Sequence, residues 1–174
     1  MTATTATSLA GMVGTWQLDP KHTTVEFHTT AMWGLAKVTG TVRAVQGNGL
    51  VGDDGGVSGE LVLDATSIDT KIKRRDKHLR GRDFLDVGTY PTFIFTASDA
   101  TLTPEGTVRI RGSLRIKDQS HPIELVATLT TPSVERITLS GEVDIDRRQW
   151  GVSRAPMGAG IVNRVVVVAQ FVRL

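Results

Sequence analysis

The strongest signal along this chain is hydrophobic alternation with a period of two. Val108, Ile110, Gly112, Leu114 and Ile116 fall on one side of an extended segment; Thr107, Arg109, Arg111, Ser113, Arg115 and Lys117 fall on the other. Successive side chains of a strand point to opposite faces, so this pattern gives one dry face and one wet face. Ile137, Leu139, Gly141, Val143 and Ile145 repeat it against Thr138, Ser140, Glu142, Asp144 and Asp146, and Ile123, Leu125, Ala127 and Leu129 repeat it again. Val25 with Phe27, and Val38 with Gly40 and Val42, mark two earlier strands. Strands dry on one face belong to antiparallel sheets. Turn chemistry separates them at Gly47-Asn48-Gly49, Asp53-Asp54-Gly55-Gly56, Pro104-Glu105-Gly106 and from Asp118 to Pro122. The pattern predicts roughly eight or nine strands, many of about 10 residues and so about 33 Å long. Eight such strands close naturally into a barrel that can hold one small ligand. The predicted fold is therefore all-β: an extended eight-stranded antiparallel barrel with one short helical segment. An immunoglobulin-like sandwich, whose strands are usually shorter, is the competing arrangement.

The last predicted strand differs from the others. From Val162 to Val172 both faces are apolar, with Val166 and Val168 on one and Val165, Val167 and Phe171 on the other. Such a strand needs cover outside the barrel. Either the helix from Lys71 to Arg80 supplies it, through Ile72 and Leu79, or a second copy does; a homodimer is expected. Asp69 or Thr70 is suited to cap the start of that helix, and Gly81 to end it. Asp76 and Arg80 have the spacing of an i,i+4 ion pair. Pro91 then holds Tyr90 extended ahead of a Phe-rich strand.

Charge adds one feature to this picture. The net charge of the 174-residue chain is only +2, yet seven of the twelve residues from Lys71 to Arg82 are Lys or Arg. Such a patch attracts anions: lipid phosphate, a pyrophosphate head group, or an anionic membrane surface in transient contact. Nucleic acid is disfavoured, since aromatics make up 5% of the chain and no stacking motif accompanies the cations. There is no Cys, which removes disulfides and thiolate chemistry. Residues 1–13 read as a disordered tail and 14–174 as one domain. Met1 to Gly14 lack both the basic start and the apolar run of a secretory signal, so a cytoplasmic location is expected.

Catalytic and metal motifs are weak. Gly47-Asn48-Gly49-Leu50-Val51-Gly52 fits G-x-G-x-x-G, but no helix opens at the glycines, so they read as loop glycines. His22, Glu26 and His28 share a strand face, but the two histidines lie about 20 Å apart on an extended chain, too far to share a metal. His78 and His121 have no evident partners. No nucleophile elbow is present. Asp83 and Asp86 flank Phe84 and suit turn positions better than paired catalytic carboxylates.

Several segments carry a family resemblance. They are Trp16-Gln17-Leu18-Asp19 with His22, Gly40-Thr41-Val42, the block from Ser67 to Phe95, Val108 to Ile116 followed by His121-Pro122-Ile123-Glu124-Leu125, Arg148-Gln149-Trp150-Gly151, and Val162-Asn163-Arg164-Val165. Together they resemble the YceI-like family of polyisoprenoid-binding, lipocalin-like proteins. Ala31 stands where relatives often carry a His. The resemblance implies a lipocalin-like barrel with an apolar tunnel. It also implies non-covalent, non-catalytic binding of a long amphiphile: a polyisoprenoid, an isoprenoid quinone or a fatty acyl derivative. No covalent cofactor is expected. The candidate lumen residues are Phe27, Val42, Phe84, Phe93, Phe95, Leu114, Ile116, Leu125 and Leu129, with Arg75, His78 and Arg80 as candidates for the head group. The alternatives are an enzyme acting on a small apolar substrate inside the barrel, and an interaction module that uses the basic helix.

Overall fold

The computed structural model describes residues 9–174. The alternating segments form nine strands: β1 (Gly14–Leu18), β2 (Thr24–Ala31), β3 (Ala36–Val51), β4 (Val57–Asp69), β5 (Thr92–Leu102), β6 (Thr107–Ile116), β7 (Gln119–Ser133), β8 (Arg136–Asp146) and β9 (Val162–Arg173). One helix, α1 (Lys73–Arg80), follows β4. Strands β2 to β9 form a closed antiparallel ring, completed where β4 pairs with β3. Strands β1 and β2 share one stave of that ring. Both pair with β3 and β9, β2 through Val25↔Val42 and Val25↔Val167, β1 through Trp16↔Gly49 and Trp16↔Arg173. Between them the chain makes a 3-10 turn at Pro20–His22, capped by the Asp19 carboxylate, which accepts from the Lys21 N–H at 3.2 Å. Nine strands thus make the eight-stave barrel that alternation predicts, and closure removes the free edges of an open sheet.

One expected turn is absent. Gly47-Asn48-Gly49 lies inside β3, a 16-residue strand, and the chain turns only at 52–56, where the Asp53-Asp54-Gly55-Gly56 turn is expected. A register shift between Ala44 and Gln46 explains the misreading. Before it the buried positions are Val38, Gly40, Val42 and Ala44; after it they are Gly47 and Val51, so the parity flips as a bulge requires. A Cβ on Gly47 would stand 3.0 Å from the Leu18 Cβ and 3.1 Å from the Glu60 carbonyl oxygen. The glycine is there because β1 and β4 crowd it, not because the chain reverses.

The two barrel ends differ. At the lower end lie the β3–β4, β5–β6 and β7–β8 hairpins and a 3-10 turn at Leu9–Met12. Met12 is buried against Trp16, Val51 and Ile137, and its carbonyl accepts from the Trp16 indole N–H at 2.8 Å. The expected tail of residues 1–13 therefore reaches ordered structure by Leu9; its first eight residues lie outside those described. At the upper end lie the β2–β3 hairpin, α1 with the segment 81–91, the β6–β7 turn and the connection 147–161.

The anchoring of α1 departs from expectation. Its N-cap is Ile72, and no side chain caps it. The buried Asp76 carboxylate reaches back to β4 instead, accepting from the Thr70 N–H at 2.9 Å and from the Thr70 hydroxyl at 2.5 Å. Arg80 forms no pair with Asp76: it donates to the carbonyls of Thr66 (3.0 Å) and Ile68 (2.6 Å). Both charges answer backbone groups left open where β4 ends, which binds them more firmly than an exposed ion pair would. Gly81 does end the helix.

The helix does not cover β9. Val165, Val167, Ala169 and Phe171 face the barrel interior. Val166 sits outward between Glu26 and Glu142, and Val168 between Thr24 and Ser140. These polar neighbours are what flank the outer valines, which remain half-buried.

Candidate functional site

The inward faces of the staves enclose one cavity of about 390 Å³ that runs the length of the barrel. This lies within the range of small-molecule sites, about 300–1,000 Å³. Leu9, Met12 and Trp16 line its lower end; Thr29 to Ala31, Ala159 and Gly160 line its upper end. All nine apolar candidates lie on its wall: Phe27, Val42, Phe84, Phe93, Phe95, Leu114, Ile116, Leu125 and Leu129. Val42 and Phe84 are buried in the upper core with Ala65, Ile68 and Val152. Leu114, Ile116, Leu125 and Leu129 point inward yet are only half-buried, because they face the cavity rather than one another.

Two glycines shape this wall. The Phe27 ring lies over its register partner Gly40, where a Cβ would come within 2.2 Å of the ring. The Phe95 ring lies over Gly112, where a Cβ would meet the ring at 2.8 Å and the Thr96 carbonyl oxygen at 2.2 Å. Missing side chains on two strands therefore let large rings lie flat against the barrel wall and leave space at its centre.

The head-group candidates separate. Arg75 reaches the cavity wall; its guanidinium donates to the Thr70 hydroxyl at 2.8 Å and the Thr70 carbonyl at 3.2 Å. His78 and Arg80 do not line the cavity. His78 is exposed, with its ring centroid 6.1 Å from that of Phe84, and Arg80 is spent on the β4 carbonyls. A residue outside the sequence expectation takes their place. Arg147, just past β8, is buried and lines the cavity, with its guanidinium 5.1 Å above the Phe84 ring. It donates to the carbonyls of Gly160 (2.9 Å), Val152 (2.6 Å) and Ala159 (3.4 Å). Burial lowers its pKa from the usual arginine value, an effect the Asp146 charge opposes, but a guanidinium stays protonated in a protein. Period two announces this residue: the inward series Ile137, Leu139, Gly141, Val143, Ile145 has Arg147 as its next member.

The upper end of the cavity thus carries two guanidiniums, neither in an ion pair among the described residues. No cluster of three or more potential metal ligands occurs among those residues. Asp83 and Asp86 stand apart from the cavity wall, Asp83 facing Arg154 at 4.0 Å. Trp150, in the segment after β8, is a packing residue: its indole N–H donates to the Leu114 carbonyl at 2.8 Å, and His121 meets it edge-on at 5.2 Å.

Comparison with known proteins places this barrel. In structure it is similar to Burkholderia cenocepacia BcnA, with a TM-score of 0.75 at 17% identity over 88% of this chain and 98% of that one. It is equally close to a polyisoprenoid binding domain from Saccharophagus degradans, implicated in plant cell wall breakdown, with a TM-score of 0.74 at 15% identity over 91% and 98%. At these identities the likeness is one of fold. In sequence it is 36% identical over 70 residues to a UPF0312 protein of Yersinia enterocolitica, covering 40% of this chain and 36% of that one. A UPF0312 protein of Ectopseudomonas mendocina is 36% identical over 67 residues, 38% of this chain and 35% of that one. The matched stretch spans about a third of these curated relatives. Residues 16–173 match the YceI-like domain, and the chain belongs to that family.

Proposed function

We propose that this protein binds a long amphiphilic lipid, with an isoprenoid or similar tail in the barrel and the head group at the upper end, and carries it without transforming it. One observation carries the reading: an apolar cavity runs the length of the barrel, and Arg75 and Arg147 both line its upper end. Apolar burial is worth about 25 cal/mol per Å², so a tail of this kind supplies most of the affinity. The cations favour an acidic head, phosphate above all, through charge-assisted hydrogen bonds. The charged groups contributed by Arg75 and Arg147 are both cations, which bind and orient but do not form an acid–base pair. The solved polyisoprenoid binding domain of the same fold is consistent with this choice of ligand.

The test has two arms. Lipid extracted from protein purified from its own host is identified by mass spectrometry, with an isoprenoid lipid as the expected occupant. Purified protein is then titrated with a polyprenyl phosphate and with the neutral polyprenol of equal length. Arg75→Gln should weaken the phosphate about tenfold, the loss of one charge-assisted bond, and leave the alcohol unchanged. A protein that binds neither lipid, and carries none from its host, ends the carrier reading.

A further inference from the structure

The exposed apolar residues are not spread evenly over the barrel. Among the described residues eleven large hydrophobic side chains are exposed, and six of them, Met32, Trp33, Leu35, Ile72, Met157 and Val162, belong to the upper end. Trp33 is 78% exposed and Leu35 86%. The β2–β3 hairpin and the 156–158 turn are joined: Met32 N–H donates to the Met157 carbonyl at 3.0 Å, and Trp33 N–H to the Gly158 carbonyl at 3.2 Å. Met32, Trp33 and Met157 hold left-handed backbone conformations, with φ of 51°, 56° and 52°. Bulky residues in that region cost conformational energy. Here a braced pair of turns keeps three large apolar side chains in solvent. The other two tryptophans, Trp16 and Trp150, are 2% exposed and have bonded indole N–H groups.

The exposed charge around this tip is mostly positive, with the exposed acids Asp83 and Asp118 among a larger number of cations. Lys37 follows the hairpin directly, and Lys73, Arg74, Lys77 and Arg82 come from the helix segment; all are exposed, with no ion pair among the described residues. The hairpins at the opposite end carry the exposed acids Asp53, Asp54, Glu105 and Glu135. A barrel charged in this way turns its upper end toward an anionic surface. An exposed Trp beside aliphatic residues and unpaired lysines is the composition of a group that settles at a bilayer interface.

We propose that the upper end is a membrane-docking surface: the Met32–Leu35 hairpin and Met157 enter the interface of an anionic bilayer while Lys37 and the α1 cations hold its head groups. The upper end of the cavity, lined by Thr29 to Ala31 and Gly160, then lies beside the membrane. This placement gives the carrier reading its route for lipid entry and rests on that reading for its purpose, while the docking itself is measurable without it.

The experiment uses the intact protein and two kinds of vesicle, pure phosphatidylcholine and phosphatidylcholine with phosphatidylglycerol. Flotation should recover protein with the anionic vesicles and much less with the neutral ones. At about 1 M salt, where the Debye length is about 3 Å, recovery should fall sharply. Emission should shift to the blue, and the acrylamide-quenchable component, which belongs to Trp33, should become protected. Trp33→Ser with Leu35→Ser should lower the partition coefficient about tenfold or more. Lys73→Glu with Arg74→Glu should do so only on anionic vesicles. These positions are exposed, and circular dichroism verifies the fold. No recovery of wild type on anionic vesicles, or unchanged recovery of both variants, overturns the proposal. So does protection of Trp33 that appears without vesicles as protein concentration rises, which would make the tip a self-interface. A protein that docks as described but removes no fluorescent polyprenyl phosphate from the vesicles keeps the docking surface and loses the carrier reading. One that removes the lipid equally well after the Trp33 and Leu35 changes keeps the carrier reading and loses the surface.

Discussion

Truncating a lumen leucine should separate stability from affinity. Leu114 and Leu18 are the same residue type in opposite settings. Leu18 is 5% exposed, packs with Val25, Ala44 and Ala169, and does not itself line the cavity. Leu114 is half-buried, faces the cavity, and offers only its backbone carbonyl to Trp150. Leu18→Ala leaves a hole in a packed cluster and should cost about 2–5 kcal/mol of stability, with little effect on lipid affinity. Leu114→Ala removes side-chain atoms whose inner side already meets the cavity, so the delipidated protein should lose only about 1 kcal/mol. With lipid in place the balance reverses. About three carbons at about 0.8 kcal/mol each lose contact with the tail, an upper bound near 2.4 kcal/mol and about 50-fold in Kd. Urea unfolding of delipidated protein reads the first quantity, and titration with an isoprenoid quinone reads the second. The reasoning fails if Leu114→Ala destabilises the delipidated protein as much as Leu18→Ala while binding the quinone normally. That result would make Leu114 part of a solid core.

Three further outcomes follow from the same geometry. Gly112→Ala should destabilise by about 1–3 kcal/mol in urea, because its Cβ meets the Thr96 backbone oxygen as well as a ring, whereas Gly40→Ala should cost less stability and more lipid affinity, since the Phe27 ring has the cavity to swing into. Asp76→Ala should lower stability by about 1–3 kcal/mol by stranding the buried Thr70 donors, and Asp76→Asn should restore most of it, because both bonds end on one carboxylate oxygen that an amide oxygen replaces; equal losses in the two would contradict this. If the outer face of β9 forms a homodimer, Val166→Glu, placed between Glu26 and Glu142, should drive it to monomer in sedimentation velocity, whereas Val165→Glu alters the lumen instead; wild type that sediments as a monomer at high concentration removes that interface.

What the sequence shows and what it hides have physical causes. A strand wet on one side and dry on the other prints its orientation into every second residue, so β6, β7 and β8 are legible, and with them the wall residues Leu114, Ile116, Leu125 and Leu129. A bulge breaks that code. At Ala44 to Gln46 the parity of β3 flips, and the glycines beyond it look like a turn although they are crowded strand positions. The homogeneous valines of β9 carry no contrast, so their inward and outward faces are fixed only by the neighbours they pair with. Charge is read less well still, because the identity of a cation does not say what it bonds. Arg80 and Asp76 look like a helical ion pair and instead close the backbone where β4 ends.

Arg147 shows how the code could have been read further. The strand pattern ends at Asp146 only if the alternation is stopped at the first charged inward position. Carried one inward position beyond Ile145, to Arg147, it places a guanidinium on the dry side of the barrel. A charge there is tolerated because the chain folds back and aims the carbonyls of Val152, Ala159 and Gly160 at it. Those carbonyls come from the connection that also carries Met157, which braces the Trp33 hairpin. One irregular segment therefore holds the cation at the upper end of the cavity and the apolar tip outside it. This explains why both features escape a reading based on regular periods: the connection has none, and its conformation is set by the groups it must satisfy. Among the described residues, the six non-glycine residues with left-handed backbone, Met32, Trp33, Lys71, Asp86, Lys117 and Met157, all belong to this upper end. Conformational cost gathered at one end of an otherwise regular barrel is what the proposed docking surface requires, since its braced turns must hold apolar side chains in solvent.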